Sequence, residues 1–302
     1  MLETVVKQSE SLPANSKLLI LGAGFSGQHL AAAARALGVT VVCSRRKASC
    51  PNAEVVFDSE LNKIPSSKSL RGITHLISCI PPDRNGNDPV LTSLSDQLKN
   101  MPLQWAGYLS TTGVYGDRQG NWASEQDLPN PKQKRSIRRL CCEKAWLASG
   151  LPVQILRLPG IYGPGRSAFE SIISEKNKMI HKPGQVFSRI HIDDIAAATL
   201  HLINLAAQGN MPKIINIADN LPTNNIEVMS YAASLKKTCI PPIVPFEIAK
   251  KNLSPMALSF WQENRKVSNK MLCNKLGYKL IHPDYKSGLH DCLIQGASNA
   301  KQ

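Results

Sequence analysis

The sequence predicts an α/β fold, in which a doubly wound parallel sheet is joined by a smaller, discontinuous lobe. Short apolar runs that read as strands alternate along the chain with longer helical segments. The first apolar run is followed directly by a glycine-rich turn and an alanine-rich helix. A sheet of this kind binds its ligands beyond the carboxyl ends of the strands, so residues that follow strands are the first candidates for function.

The first strand, turn and helix are typical of a dinucleotide site. The apolar run Lys17–Leu21 precedes three glycines with Gly-x-Gly-x-x-Gly spacing, and residues 39–43 supply a second strand at the expected distance. In such a turn the first glycine makes the bend, the second admits a pyrophosphate and the third allows close helix packing. An ordinary glycine turn is the alternative. The predicted pyrophosphate-binding residues are Gly22, Gly24, Phe25, Ser26 and Gly27.

The end of the second strand indicates which dinucleotide binds. An acid at this place would bind the ribose 2′-hydroxyl of NAD, and the chain has none there. Ser44 offers a hydroxyl, and Arg45, Arg46 and Lys47 offer positive charge to a 2′-phosphate. We therefore expect NADP, with NAD as the alternative. The competing interpretation is an ordinary solvated basic turn.

Composition limits the class of protein. The chain has 302 residues and no run of 18 uncharged apolar residues, so no membrane span is expected. Its N-terminus lacks the pattern of a secretory signal, and we expect a soluble, cytoplasmic protein. The eight cysteines do not form a disulfide framework or a metal-binding spacing, so no metal site is predicted.

The charge of the chain leaves two interpretations open. Its formal charge is +14, from 36 Lys and Arg against 22 Asp and Glu. Nucleic acid is a possible partner, but the cations are spread along the chain and no RNA-binding motif occurs. A small phosphate-bearing ligand explains the sign equally well.

The later elements continue the alternation and define the predicted domains. Residues 54–58, 74–80, 105–110, 153–158 and 213–217 are predicted strands, and residues 90–99 and 134–149 are predicted helices. We expect an N-terminal extension at 1–16, a nucleotide-binding domain at 17–163 plus 189–220, and a substrate lobe at 164–188 plus 221–302.

Four segments together resemble a known family. The glycine turn, residues 110–116, residues 156–165 and residues 189–196 resemble, in order and spacing, the extended short-chain dehydrogenases/reductases. More narrowly, they are similar to the NAD(P)-dependent epimerase/dehydratase family that acts on nucleotide sugars. The resemblance spans nearly the whole chain. It implies a Rossmann fold, a nicotinamide cofactor, a nucleotide-linked or phosphorylated sugar as substrate, and a monomer or homodimer.

The chain departs from the catalytic pattern of that family. These enzymes use a Ser or Thr after the fifth strand and a Tyr-x-x-x-Lys pair, in which Lys lowers the pKa of the tyrosine. Thr111 matches the first position, but Arg135 and Arg139 stand where the family has Tyr and Lys. Arginine cannot replace a phenol, because its pKa above about 12 keeps it charged.

This departure leaves two interpretations of the function. In the first, the chain is an atypical oxidoreductase or epimerase in which Tyr115 or Tyr162 carries the proton, although both tyrosines can also be packing residues. In the second, dinucleotide binding survives in a sensor, a scaffold or an RNA-associated assembly factor. Arg135, Arg138 and Arg139 would then bind an anionic group, unless they form a solvated helix face.

The resemblance also implies roles for residues near other strand ends. Asp58 is similar to the acid that contacts adenine, or else it caps a turn. Residues at the end of the fourth strand would flank the adenosine ribose and pyrophosphate, unless they begin a mobile proline loop. Those fourth-strand residues are Ser78, Ile80 and Pro81. Pro159 would border the nicotinamide, and Arg166 would bind a phosphate of the substrate.

A histidine and two acids precede a late helix. His191, Asp193 and Asp194 could suggest metal or acid/base chemistry. An acid at this place is explained as a helix N-cap, and a single histidine on the preceding strand is more often structural. We therefore predict a structural role for all three residues.

Overall fold

The structure, a computed structural model, describes residues 2–173 and 178–299. Its strands are β1 (Lys17–Leu21), β2 (Thr40–Arg45), β3 (Val55–Val56), β4 (His75–Ser78), β5 (Trp105–Thr111), β6 (Trp122–Ala123), β7 (Val153–Leu158), β8 (Gly160–Tyr162), β9 (Met179–His181), β10 (Arg189–His191), β11 (Ile214–Asn216), β12 (Ile243–Pro245) and β13 (Lys266–Val267). Its helices are α1 (Glu3–Gln8), α2 (Phe25–Ala36), α3 (Pro89–Lys99), α4 (Lys134–Leu147), α5 (Ala168–Ile173), α6 (Ile192–Ala207), α7 (Asn225–Lys236), α8 (Phe246–Ala249), α9 (Pro255–Trp261) and α10 (Tyr285–Asn299). A 3₁₀ turn at Thr112–Tyr115 follows β5.

The central sheet has seven parallel strands in the order β11-β7-β5-β4-β1-β2-β3. The order reverses at β1, so β1 and β4 are neighbours although β2 and β3 lie between them in the chain. This arrangement confirms the doubly wound Rossmann-like fold. Three further pairs of short strands, β8 with β10, β9 with β12 and β6 with β13, lie outside the sheet.

Both faces of the sheet are covered, as the continuous apolar composition of its strands requires. Leu18 and Ile20 of β1 point into a cluster that includes the alanines of α2 and α6. Leu19 and Leu21 point to the opposite face, where they join residues of α3 and α4 such as Trp146. The small alanine side chains let α2 and α6 pack closely together on the first face.

The predicted N-terminal extension contributes to the core of the sheet. Helix α1 contacts α6 and α2, and its Val5 is fully buried in the first apolar cluster. Leu12 is buried there as well. None of the helices in residues 2–173 and 178–299 is long and apolar enough to span a membrane.

A third apolar cluster lies apart from the two faces of the sheet. It joins Tyr162 of β8 and Phe169 of α5 to Val228 of α7 and to Tyr285 and Leu289 of α10. These elements come from parts of the chain that are far apart in sequence, which is consistent with a discontinuous second lobe. The exact division into domains remains a prediction.

A buried ion pair fastens α4 to the sheet. Arg157 of β7 donates from Nε and Nη2 to the two carboxylate oxygens of Glu143, at 3.0 and 2.7 Å. Ser110 Oγ of β5 donates to the same carboxylate at 2.5 Å. The side chains of Arg157 and Glu143 are each about 2 % exposed. Because water cannot solvate either charge, each side chain depends on the other for neutralisation.

Glu143→Ala should destabilise the chain strongly. Its loss leaves the Arg157 guanidinium buried without a counter-charge, which costs about 3–5 kcal/mol of unfolding free energy. Urea unfolding followed by circular dichroism measures the change. The control is Glu3→Gln, which breaks the exposed Lys7–Glu3 pair and should leave the midpoint unchanged. Equal midpoints for the two variants would contradict the role of the buried pair.

Asp219 is a buried carboxyl group, and it follows β11. Its N–H donates to Arg189 O at 2.8 Å, and its Oδ1 accepts from Leu221 N at 3.2 Å. The other oxygen, Oδ2, is buried and has no hydrogen-bond partner in the described part of the chain. Burial raises the pKa of this carboxyl to about 8.

Because the pKa is raised in the folded state, Asp219 stabilises the fold least at high pH. The folded chain keeps the proton up to about pH 8, whereas the unfolded chain loses it near pH 4. Between pH 5 and pH 7 the unfolding free energy of the natural chain should fall, relative to Asp219→Asn, by about 1 kcal/mol per pH unit. Parallel pH–stability curves for the two chains would contradict this account.

Candidate active site

The glycine turn between β1 and α2 has the geometry that a dinucleotide site requires. Gly22 has φ of +76°, a left-handed conformation that favours glycine. A Cβ built on Gly27 would lie 3.0 Å from Ile20 Cγ2, so a larger residue would push the helix from the strand. Ser44 is buried, and its Oγ accepts from Gly22 N at 2.9 Å. Ser44 therefore holds the turn, which corrects the expectation that it faces a 2′-phosphate.

The start of α2 fits a pyrophosphate. Gly24 is the N-cap residue, and no side chain accepts from the first turn of the helix. A Cβ built on Gly24 would have no neighbour nearer than Gly22 O at 3.8 Å, so this face of the turn is open. Backbone N–H groups at a helix start, including those of Phe25 and Ser26, carry positive partial charge that attracts an anion.

Positive charge surrounds a cavity at the ends of β2 and β3. The cavity has a volume of about 510 Å³, and its lining includes Arg46, Lys47 and Lys63. The Arg45 side chain turns back instead, and its Nη1 donates to Ala23 O of the glycine turn. Lys63 was not among the residues predicted from the sequence. A short antiparallel bridge to Asp58 brings it here.

Asp58 caps a turn, as the alternative interpretation stated. Its Oδ1 accepts from Glu60 N at 3.1 Å and from Leu61 N at 3.2 Å.

At the end of β4, Ser78 is fully buried and its Oγ has no hydrogen-bond partner among residues 2–173 and 178–299. Ile80 lies against the glycine turn, because its side chain is the nearest neighbour of a Cβ built on Gly22.

A larger cleft of about 690 Å³ opens at the carboxyl ends of β5 and β7. Thr111 and Pro159, the candidates for the substrate hydroxyl and the nicotinamide, line it together with Thr112 and with Pro81, which was predicted beside the adenosine ribose and pyrophosphate. Thr111 Oγ1 accepts from Gly113 N at 3.1 Å, which fixes the side chain at the end of β5. The structure thus brings these four candidates to one cleft.

The two tyrosines predicted as proton carriers do not line the main cleft, although Tyr162 lines the second pocket. Tyr115 is fully buried, its hydroxyl donates to Asn216 Oδ1 at 2.7 Å, and the Arg157 guanidinium lies 4.7 Å from its ring centre. Tyr162 packs edge-on against His191. Burial raises the pKa of both phenols, whereas a catalytic phenol needs a lowered pKa. This placement argues against proton transfer by either residue.

Arg135 and Arg139 of α4 have different surroundings. Arg139 Nη1 donates to Leu109 O at 3.0 Å and to the hydroxyl of Tyr108 at 3.1 Å, so Arg139 ties α4 to β5. Arg135 stacks on Phe260 of α9, with its guanidinium carbon 3.8 Å from the ring centre. Arg135 and Arg138 line the cleft, and neither makes a side-chain hydrogen bond within the described residues.

Arg166 lies in a second pocket that adjoins the cleft. This pocket has a volume of about 470 Å³ and shares Gly160, Arg189 and Asn225 with the cleft. The Arg166 guanidinium lies 5.4 Å from the ring centre of Phe25. The side chain of Phe25 therefore connects the start of α2 to the second pocket.

His191, Asp193 and His282 form a buried polar network. His191 Nδ1 accepts from Asp193 N at 3.2 Å, so the histidine and not an acid is the N-cap of α6, which corrects the sequence interpretation. Asp193 also contacts His29 Nε2 at 2.6 Å and His282 Nε2 at 3.1 Å. Burial opposes ionisation of Asp193, but the hydrogen bonds from His282 and His29 hold its pKa below the usual range.

This network has the composition of a metal site but is satisfied by hydrogen bonds. Potential ligand atoms of His191, Asp193, His282 and Asp291 lie within 4.8 Å of one another. Because Nδ1 of His191 accepts a hydrogen bond, its Nε2 carries the proton and faces Asp291 Oδ2 at 3.7 Å. The protonated nitrogen has no lone pair to offer a metal ion.

Several residues of the cleft have no counterpart among the sequence predictions. Phe260, Trp261 and Glu263 come from the segment around α9 and β13, and no motif marks them, whereas Arg265 begins a C-terminal segment that resembles the family. Arg189 is an exception, because it begins the 189–196 segment that carried the family resemblance. Arg189 is half-buried, and this burial lowers the pKa of its guanidinium.

The comparisons with known proteins agree with this architecture. The family model described as "NAD dependent epimerase/dehydratase family" matches residues 18–218. A conserved protein of unknown function from Silicibacter pomeroyi is 35% identical, with a TM-score of 0.83, and the match covers 93% of this chain and 99% of that one. No curated protein matches the chain.

Two further solved structures are similar. A putative NAD-dependent epimerase/dehydratase from Methylobacillus flagellatus is 28% identical, with a TM-score of 0.71, over 93% of this chain and 99% of its own. MoeE5, solved in complex with UDP-glucuronic acid and NAD, is 19% identical with a TM-score of 0.74, over 94% and 100% of the two chains. The last comparison concerns the fold alone. With its sheet order, its open glycine turn and a family match over two thirds of its length, the chain belongs to the NAD-dependent epimerase/dehydratase family.

Proposed function

We propose that this chain binds NADP and an anionic sugar, nucleotide-linked or phosphorylated, side by side, and that a hydride passes from a sugar carbon to the nicotinamide while the proton of the hydroxyl on that carbon leaves to solvent. The observation that carries the proposal is that Arg135 and Arg138 line the main cleft and make no side-chain hydrogen bond within the described residues. The glycine turn before α2 is open as well. The turn provides the place for a dinucleotide, and the arginines provide the place for the anion of a second ligand.

The cofactor half of the proposal rests on the turn and on the cationic cavity. The open face at Gly24 and the uncapped start of α2 suit a pyrophosphate. Arg46, Lys47 and Lys63 suit a 2′-phosphate, and no acid lines their cavity among the described residues. MoeE5, which shares the fold, was solved with NAD. When bound, a nicotinamide supplies the hydride donor or acceptor.

The substrate half rests on the residues that face the cleft. Arg135 and Arg138 are three residues apart on α4, so both can reach one phosphate or carboxylate group. Thr111 and Thr112 present hydroxyls at the end of β5, where they can hold a substrate hydroxyl. Arg166 in the adjoining pocket offers a second cation for a diphosphate.

A second candidate function is a sensor that binds NADP and the sugar without turnover. The burial of Tyr115 and its hydrogen bond to Asn216 favour it, because this phenol is not available to carry the proton that accompanies hydride transfer. The two functions share both ligands. They differ in whether the cofactor changes its redox state when the sugar binds.

Replacing Arg46 and Lys63 together by alanine should weaken NADPH binding and leave NADH binding unchanged. Each lost charge-assisted contact to the 2′-phosphate costs about 1.5–3 kcal/mol, so we expect a loss of tenfold or more. Fluorescence titration of the full chain measures both affinities. Exposed Lys68→Ala is the matched control. Gly24→Trp should abolish binding of both cofactors, and unchanged affinity in that variant would contradict the assigned site.

Replacing Arg135 and Arg138 by alanine should weaken the binding of UDP-glucuronic acid tenfold or more, because the variant loses two guanidinium contacts to the anion. Calorimetry in the presence of NADPH measures the affinity, with Lys134→Ala on the same helix as the control. Unchanged affinity in the double variant would contradict the anion site.

Incubation of the natural chain with NADP⁺ and UDP-glucuronic acid distinguishes the two candidate functions. The appearance of reduced nicotinamide fluorescence supports the oxidoreductase. Binding of both ligands with no change in fluorescence supports the sensor.

A further inference from the structure

Arg189 lies in the wall that the main cleft shares with the second pocket. It lines both spaces, whereas the arginines of α4 line the cleft alone and Arg166 lines the second pocket alone. Gly160 of β8 is the partner of Arg189 of β10 in the parallel pair of strands. A Cβ built on Gly160 would lie 3.8 Å from Arg189 Cγ, so a larger residue there would cover the arginine side chain. The glycine therefore leaves this wall open.

One nitrogen of the Arg189 guanidinium has a structural role. Nη1 donates to Phe187 O and to Thr223 O, both at 2.9 Å, and these two bonds fix the orientation of the guanidinium plane. Nε and Nη2 make no hydrogen bond within the described residues, and neither atom is closed off from solvent. Two N–H donors on one edge of a fixed guanidinium therefore remain available to a ligand, and little side-chain entropy is lost when it binds.

No carboxylate forms an ion pair with Arg189 in the described part of the chain. The Asp219 carboxyl attracts it, but burial raises the pKa of that carboxyl to about 8, so the group keeps its proton at pH 7. Glu170 lines the second pocket, and its Oε2 accepts from Ser167 N and Oγ. An anionic ligand would therefore supply a counter-charge that the chain itself does not place at Arg189.

The Nε and Nη2 edge of Arg189 suits an oxyanion. Two parallel N–H donors match two oxygens of a phosphate or carboxylate group. An ammonium group would be repelled, and a hydroxyl group, being neutral, would leave the positive charge uncompensated. Arg166 adds a cation for a group that reaches into the second pocket. The wall between the two spaces is therefore suited to the phosphates of a ligand.

The residues on the cleft side contact a different part of such a ligand. Thr111 and Thr112 line the cleft and not the second pocket, and the arginines of α4 do the same. A sugar hydroxyl held by the threonines puts the sugar ring beside Arg135 and Arg138, with the phosphates beyond the ring at Arg189. The anion that Arg135 and Arg138 bind is then a group on the sugar itself.

We propose that the substrate carries two separate anionic groups, with its phosphates at Arg189 and a carboxylate of the sugar at Arg135 and Arg138. The substrate class is therefore a uronic acid joined to a phosphate or a nucleotide. This inference rests on the proposed function, because it assumes that an anionic sugar occupies the cleft. It adds which part of that sugar each group of arginines binds.

The test measures the affinities of UDP, UDP-glucose and UDP-glucuronic acid by calorimetry with saturating NADPH. The natural chain should bind UDP-glucuronic acid about tenfold more tightly than UDP-glucose, because the carboxylate adds charge-assisted hydrogen bonds to the arginines of α4. This comparison uses no variant, so it does not depend on the folding of one.

Variants then assign each anionic group to its arginines. Arg166→Gln should weaken all three ligands by the same factor, about tenfold, because it removes a contact to the phosphates. Arg189→Lys keeps the charge but loses the paired donors, so it should act in the same way. Replacing Arg135 and Arg138 together by alanine should weaken UDP-glucuronic acid alone. The control is Arg71→Gln, which alters an exposed arginine before the amino end of β4 and should change no affinity.

The outcomes separate this inference from the proposed function. A loss confined to UDP-glucuronic acid in the double variant, with equal losses for the three ligands in Arg166→Gln, supports the inference. Equal losses of UDP-glucose and UDP-glucuronic acid in the double variant would put a phosphate at Arg135 and Arg138. That result would overturn the inference while the proposed function stands.

Three other results would also contradict the inference. Equal affinity of the natural chain for UDP-glucose and UDP-glucuronic acid would overturn it and leave the proposed function standing. Weaker NADPH binding in Arg166→Gln, with unchanged UDP binding, would assign Arg166 to the cofactor and overturn it as well. If none of the three ligands binds the natural chain, the proposed function fails and the inference fails with it.

Discussion

The buried pair of Glu143 and Arg157 is the interaction on which the candidate site depends. It fastens α4 to β7, and Ser110 of β5 joins the same carboxylate. Helix α4 is the element that carries Arg135 and Arg138 into the cleft. Because a buried ion pair needs well-defined geometry on both sides, it fixes the position of the helix as well as its stability.

Two arginines of the same helix have different surroundings. Arg139 donates to Leu109 O and to the Tyr108 hydroxyl of β5 and has a structural role. Arg135 faces the cleft and keeps its charge at every physiological pH. The helix thus presents a fixed positive charge to the cleft. This charge favours anion binding over proton transfer at that point of the cleft.

The sequence predicted the elements that depend on local pattern. The strands Lys17–Leu21 and Val153–Leu158 coincide with the predicted ones, because their apolar runs end at turn residues. The function of single side chains was harder to predict. Ser44 points inward to Gly22 N, and Tyr115 bonds to Asn216, which is 101 residues further along the chain. Contacts of this kind depend on tertiary packing, and neither composition nor spacing reveals them.

Glu263 is another residue whose position in the cleft could not be predicted from the sequence. Its neighbours in the sequence carry no motif, and it enters the cleft only because Asn264 and Arg265 bind the segment after β5. The open glycine turn was predictable, since each glycine has a local geometric reason. The arginine pair of α4 was visible in the sequence, but the absence of side-chain hydrogen bonds from Arg135 and Arg138 to other described residues was not.

The central claim is that the dinucleotide and an anion bound by Arg135 share one cleft. A crystal structure of the chain with NADP⁺ and UDP-glucuronic acid tests it most directly. The account predicts the pyrophosphate at the start of α2 and an anionic group of the sugar nucleotide within hydrogen-bond distance of Arg135 or Arg138. A sugar nucleotide bound elsewhere, with Arg135 still stacked on Phe260 and in contact with no anion, would contradict it.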